Sequence, residues 1–187
     1  MLGNYSRCYG KCGHPLSVRD EGCFEAALGY GRAVPAPLVP VSKTTVMPTT
    51  TPAAAYAVVV DFAAYPRLFS EIKAARIIST ADKRVRVEFR GNIVLPFRYV
   101  LDLDCDEVAL TVAWRYVEGE VVKNSEGGWR FTAEGNGTRV EYKVAMEISA
   151  PVPGFLLRKI TDGLVALSIP AMFASVEREA KARAMTK

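Results

Sequence analysis

Hydrophobic and polar positions alternate with a period of two through the middle of this chain, the pattern of strands with one dry face and one wet face. Six segments carry it. Ala74 to Ser79 runs into a polar turn at Ala81-Asp82-Lys83. Val85, Val87 and Phe89 alternate with Arg86, Glu88 and Arg90, and Gly91-Asn92 is expected to turn the chain. Phe97, Tyr99, Leu101, Leu103 and Cys105 share one face of the next segment, with Arg98, Asp102 and Asp104 opposite. Asp106-Glu107 turns into Leu110, Val112, Trp114 and Tyr116, and Trp129 and Phe131 follow a break at Gly127-Gly128. Past the hairpin signal Gly135-Asn136-Gly137, Val140, Tyr142, Val144, Met146 and Ile148 alternate with Arg139, Glu141, Lys143 and Glu147.

The flanks follow other rules. Val41 to Met47 reads as a further strand. From Pro52 a helical period begins, and Asp61 and Tyr65-Pro66 are expected to divide it into two short helices ending near Ile72. Pro151-Val152-Pro153-Gly154 resets the chain before a helical pattern from Phe155 to about Ala184, roughly 45 Å long if unbroken. Pro170 lacks the amide hydrogen that this helix would use, so a kink or break is expected there. Residues 1–40 show no hydrophobic period and end in a proline-rich run, which predicts a disordered extension and linker before a domain over 41–187. The fold class is therefore α+β, an antiparallel sheet whose dry face must be covered, with the last helix as the cover.

That helix is apolar around most of its circumference between Phe155 and Ala174, more than one contact face requires. Either the two short helices fill the second side, or the helix walls an apolar cavity. For the cavity, the inward positions supply the candidate ligand-binding set: Phe89, Tyr99, Leu101, Trp114, Tyr116, Trp129, Phe131, Tyr142 and Met146 from the strands, with Leu164, Leu167 and Met172 from the helix. None is charged. Greasy walls with a few phenols and indole N–H groups suit a lipid, quinone or polyketide better than a nucleotide or sugar.

Charge and chemistry narrow the choice further. Half the chain is hydrophobic, enough for a substantial core. The longest nearly uncharged run, Gly163 to Ala174, is too short to span a bilayer, so the expected location is cytoplasmic. Of the net charge of +4, residues 151–187 contribute six basic groups against three acidic. Arg178, Lys181, Arg183 and Lys187 either touch anionic headgroups or simply solvate a helix end. His14, the one histidine, lies in the N-terminal extension, which excludes a histidine-based catalytic set within the domain. Cys8, Cys12, His14 and Cys23 do not have a common zinc spacing, so no metal is expected. No glycine-rich phosphate loop precedes a helix, and no basic stripe with exposed aromatics is present; no cofactor and no nucleic-acid partner are expected. Asp61 reads as a helix cap or turn residue.

Val59-Val60-Asp61-Phe62-Ala63-Ala64-Tyr65-Pro66, Trp114 with Glu118-Gly119, Gly128-Trp129-Arg130-Phe131 and Pro151-Val152-Pro153-Gly154-Phe155 occur in an order that resembles the START-like helix-grip superfamily. The likeness covers residues 41 to about 184 and is strongest to the polyketide cyclase/dehydrase and coenzyme-Q-binding branch. The resemblance implies a seven-stranded curved antiparallel sheet gripping a long C-terminal helix around a hydrophobic ligand. It implies a binding or transfer role first, a cyclase or dehydrase second, and, from a toxin-like branch of the superfamily, a ribosome or protein partner third.

Overall fold

The structure is a computed structural model, and it describes residues 39–92, 96–148, 154, 155, 158, 162 and 167–186. Residues 1–38 of the extension and linker expected over 1–40, the cysteine and histidine set within them, the Pro151-Val152-Pro153 reset, Leu164 and Lys187 lie outside the described residues. Seven antiparallel strands form one sheet: β1 (Val39–Met47), β2 (Ile72–Ala81), β3 (Arg84–Asn92), β4 (Pro96–Asp106), β5 (Thr111–Gly119), β6 (Val122–Glu134) and β7 (Gly137–Ile148). Their order is β1-β7-β6-β5-β4-β3-β2, so each consecutive pair from β2 to β7 is a hairpin and β1 closes the far edge against β7. Four register shifts, at Ile72/Ala74, Ile77/Ser79, Val100/Leu101 and Val122/Asn124, bend the ladder, as bulges do.

Several boundaries differ from the sequence reading. β1 opens at Val39, so Pro40 belongs to the strand, opposite Ala145, and not to a linker. A proline is tolerated on an edge strand whose nitrogen faces away from the ladder. Gly91 and Asn92 do not turn the chain; they extend β3, opposite Phe97 and Pro96. A Cβ on Gly91 would stand 2.0 Å from the Glu71 carbonyl oxygen, so this glycine serves close packing. Gly127-Gly128 likewise lies inside β6. The hairpin at Gly135-Asn136 is as expected, with Gly135 at φ +57°.

α1 (Pro52–Val59) starts where Thr51 accepts a hydrogen bond from the Ala54 amide at 3.2 Å and Pro52 fills the first turn. A 3-10 turn (Phe62–Ala64) and a four-residue helix, α2 (Tyr65–Leu68), follow. Pro66 sits in the first turn of α2 and so begins a helix instead of breaking one. The last helix, α3 (Ile169–Met185), carries Pro170 in its first turn, directly after a wider π-type turn at Leu167-Ser168. At this proline, where a kink or break is expected, the described residues pass from π-type to α-helical turns.

The core lies between the concave face of the sheet and these helices. Met47, Val58, Val59, Val87, Phe131, Val140 and Val176 are essentially inaccessible there. α1 and α2 both pack on α3, so for this half of the helix the short helices do cover its second side. Ion pairs fasten that contact: Glu179 takes both guanidinium nitrogens of Arg67 at 2.7 and 2.8 Å, and Arg183 joins Glu179 at 2.9 Å and Asp61 at 2.6 Å. Asp61 stands at the N-terminal cap position of the 3-10 turn, where a cap or turn residue is expected, but its carboxylate accepts from Arg183 and makes no capping bond. Arg183 and Lys181, the latter on Glu177 at 2.6 Å, are engaged within the fold. On the convex face, Glu88 is buried beneath Arg98 at 2.6 Å and Arg90 at 3.0 Å, and Arg86 pairs with Asp102 at 2.7 Å.

Candidate functional site

The concave face divides into a sealed zone and an open one. Phe89, Leu101, Trp129 and Phe131 are buried in the sealed zone. Phe131 meets Tyr56 edge-on at 6.4 Å and stacks on Trp129 at 5.9 Å, so it supports a wall from behind. Tyr99, Trp114, Tyr116, Tyr142, Met146 and Met172 share the same interior but stay only half-buried. On a face where neighbouring side chains reach complete burial, these six form a band of partly accessible aromatic and methionine surface.

Two aromatic clusters hold this band. On the β3–β4 side, Tyr99 stacks on Phe97 at 5.5 Å and lies tilted on Phe89 at 5.5 Å, and Phe89 stacks on Tyr65 at 5.6 Å. On the β5–β7 side, Tyr142 lies 4.6 Å from Trp129 and 5.8 Å from Trp114, and Phe173 of α3 meets Trp129 and Tyr142 edge-on at 5.5 and 6.0 Å. Such contacts fix ring orientation and contribute about 0.5–1.5 kcal/mol per pair beyond burial.

Trp114 owes its place to a missing side chain. It pairs with Gly127 across the β5–β6 ladder, and a Cβ on Gly127 would stand 2.5 Å from the indole ring and 2.2 Å from the Lys143 carbonyl oxygen. The indole lies over the bare backbone, and its Nε1–H donates to Ser125 Oγ at 3.2 Å. That bond bridges the hairpin where the β5–β6 pairing has already ended at Arg115 and Glu126. Tyr116 donates its hydroxyl to the Gly119 carbonyl at 3.3 Å, and Tyr65 to the Val59 carbonyl at 2.7 Å.

The phenols of both clusters are desolvated. Desolvation pushes the Tyr99 phenol up to about 12. It also raises Tyr142, with the nearby Tyr99 adding to the effect, and raises Tyr65, whose further causes include Tyr99 and Tyr142. Cys105, in the same interior, rises to about 11 through desolvation and Asp104, and it stays a thiol. At the start of β2, desolvation of Glu71 is outweighed by hydrogen bonds, foremost from Ser168 Oγ at 2.7 Å, so its carboxyl titrates below the usual range. That bond ties the beginning of α3 to the rim of the sheet.

Leu167 does not join the site. It is 73% exposed, at the π-type turn before Pro170. Phe173 and Tyr65 do join it, although alternation along strands could not reveal them. Phe173 belongs to the helical pattern and Tyr65 to the Tyr-Pro motif; their adjacency to strand aromatics is tertiary. Ser125 and Gly127 were also illegible as site residues, since their role exists only through Trp114. Among the described residues, no group of three His, Cys, Asp or Glu side chains is placed to hold a metal ion, and no helix is long and apolar enough to cross a membrane.

The architecture is shared with solved proteins of low sequence similarity. A Thermus thermophilus protein superposes with a TM-score of 0.68 at 22% identity, covering 78% of this chain and 99% of the other. The ZhuI aromatase/cyclase of Streptomyces sp. R1128 gives 0.68 at 16% identity, covering 79% and 96%. A START superfamily protein of Mycobacterium smegmatis gives 0.61 at 17%, covering 76% and 97%. At these identities the likeness is one of fold. No curated protein matches the sequence. The sequence of residues 49–173, two thirds of the chain, matches the family described as polyketide cyclase / dehydrase and lipid transport, and with its seven-stranded helix-grip fold this chain belongs to that family.

Proposed function

We propose that the protein binds a hydrophobic small molecule in the recess between the concave face of its sheet and the last helix, with Tyr99, Trp114, Tyr116, Tyr142, Met146 and Met172 in contact with it. The carrying observation is that these six side chains keep accessible surface on the same face as Val87, Phe89, Phe131 and Val140, which are sealed. Apolar surface of this kind gains about 25 cal/mol per Å² when a guest covers it. The family and the aromatase/cyclase neighbour support the same reading.

Binding is favoured over acid/base catalysis because phenols raised by desolvation are hydrogen-bond donors and not bases near neutral pH. Native mass spectrometry of the purified chain tests the proposal. The expected spectrum contains protein carrying an extractable apolar molecule, and Trp114→Glu loses that mass while keeping its circular dichroism. A wild-type protein of bare polypeptide mass that also takes up no apolar probe contradicts the proposal. Cyclisation of a poly-β-keto chain is the second reading, favoured by the two phenols able to polarise a ketone. Turnover of such a substrate by the purified protein would establish it.

A further inference from the structure

The two edges of the sheet are unlike. At one end of the ladder stands β1, blunted by Pro40 within the strand. At the other stands β2, which contains no proline, so one row of its backbone amides and carbonyls points away from β3. Every residue from Arg76 to Ala81 is exposed, among them two large apolar side chains, Ile77 at 52% and Ile78 at 45%. An edge of this kind accepts a further strand by main-chain pairing.

The bulge in β2 decides which strand fits. Before it, Ala75 and Ile77 lie opposite Phe89 and Val87 on the concave side, and Ala74 and Arg76 lie opposite Arg90 and Glu88 on the convex side. Ile78 is the extra residue of the bulge. Past it the phase is reversed: Ser79 and Ala81 share the convex side with Arg86 and Arg84, and Thr80 shares the concave side with Val85. Residues opposite each other on antiparallel strands must share a face. A second β2, related by a two-fold axis between Ile77 and Ile78, meets that condition, with Ala74 against Ala81, Ala75 against Thr80 and Arg76 against Ser79. An axis through Ile77 itself sets concave residues against convex ones. The matching register also brings Ile77 against Ile78 and Lys73 against Asp82, each contact occurring twice. Lys73 and Asp82 are both exposed, and Arg76 adds little repulsion because Glu88 stands 3.6 Å from it. We propose that β2 is the docking edge for a second copy of this chain, paired antiparallel about that axis so that two sheets run on as one. The interface does not involve the recess and is independent of what the recess binds.

Sedimentation velocity of the full chain across the micromolar range is expected to show a monomer–dimer equilibrium, as suits an interface of one strand pair. Hydrogen exchange is expected to slow across Ile72–Ala81 as the dimer fills, and not across Val39–Met47. Ile78→Lys, a change at an exposed position, is expected to abolish the dimer while the chain still melts cooperatively. Lys73→Glu sets like charges against each other at both ends and is expected to weaken the dimer about tenfold. Asp82 has φ +51°, a conformation that asparagine tolerates, so Asp82→Asn tests the charge alone. It is expected to weaken the wild-type dimer about threefold and to strengthen the dimer of Lys73→Glu, a reversal of sign that only direct pairing produces. A chain that stays monomeric at every concentration overturns the proposal. So does a dimer whose protection falls outside β2, an effect of Asp82→Asn that keeps its sign in both backgrounds, or a β2 edge protected only when a different protein is added.

Discussion

Gly127 has no side chain, and the position of Trp114 depends on that. Gly127→Ala would drive a methyl group into both the Lys143 carbonyl and the indole. The expected cost is about 3 kcal/mol, read as a lowered denaturant midpoint. Ser125→Ala is milder. It removes the acceptor of the Trp114 indole, and in a Trp129→Phe background the remaining indole is expected to depolarise faster in time-resolved anisotropy than it does with Ser125 present. An unchanged anisotropy decay would mean that Gly127 and Tyr142 hold the ring without the bond. Alternation along β5 identified Trp114 as inward-facing, but alternation does not reveal what an indole lies upon. Glu88 is the converse: the pattern assigned it to the wet face, where it does stand, yet arginines from β2, β3 and β4 bury it there.

Among the elements, α3 depends most on contacts that the sequence does not announce. Its apolar stripe was legible in Met172, Phe173 and Val176. The ionic seam was not, because Asp61, Arg67, Glu179 and Arg183 come together only when α1 and α2 fold back on α3. Hydrogen bonds from Arg67 and then Arg183 hold the Glu179 carboxyl near about 2. A folded pKa below the unfolded one stabilises above the unfolded value, about 4.3, and that contribution is lost as pH falls toward 2. Glu179→Gln is therefore expected to cost about 1–2 kcal/mol at neutral pH after solvent screening. It should also flatten the loss of stability between about pH 5 and 2, as followed by thermal melts. A variant that melts like the wild type at pH 7 would make the seam decorative. The two misread turns share one cause. Gly91 and Gly127 carry the local signature of a turn, while their reason for being glycine is a backbone or ring pressed against them from another strand or loop.

At the scale of the molecule, strand number and the covering helix were legible because each inward face repeats with period two and the order of short motifs follows a known family. The division of the interior into sealed and open zones was not. Phe131 and Tyr142 look alike in the pattern, yet α1 and Trp129 seal the first while the second keeps accessible surface. Phe131→Ala is accordingly expected to cost about 3–5 kcal/mol in chemical denaturation, and a loss below about 1 kcal/mol would place the core elsewhere. The central claim is that the sheet and the last helix leave room they do not fill. Crystals of the protein pressurised with xenon measure that room directly, since xenon enters dry apolar voids. Xenon density is expected between Tyr99, Tyr142 and Met146; an interior without bound xenon, packed solid between the two aromatic walls, would contradict the claim.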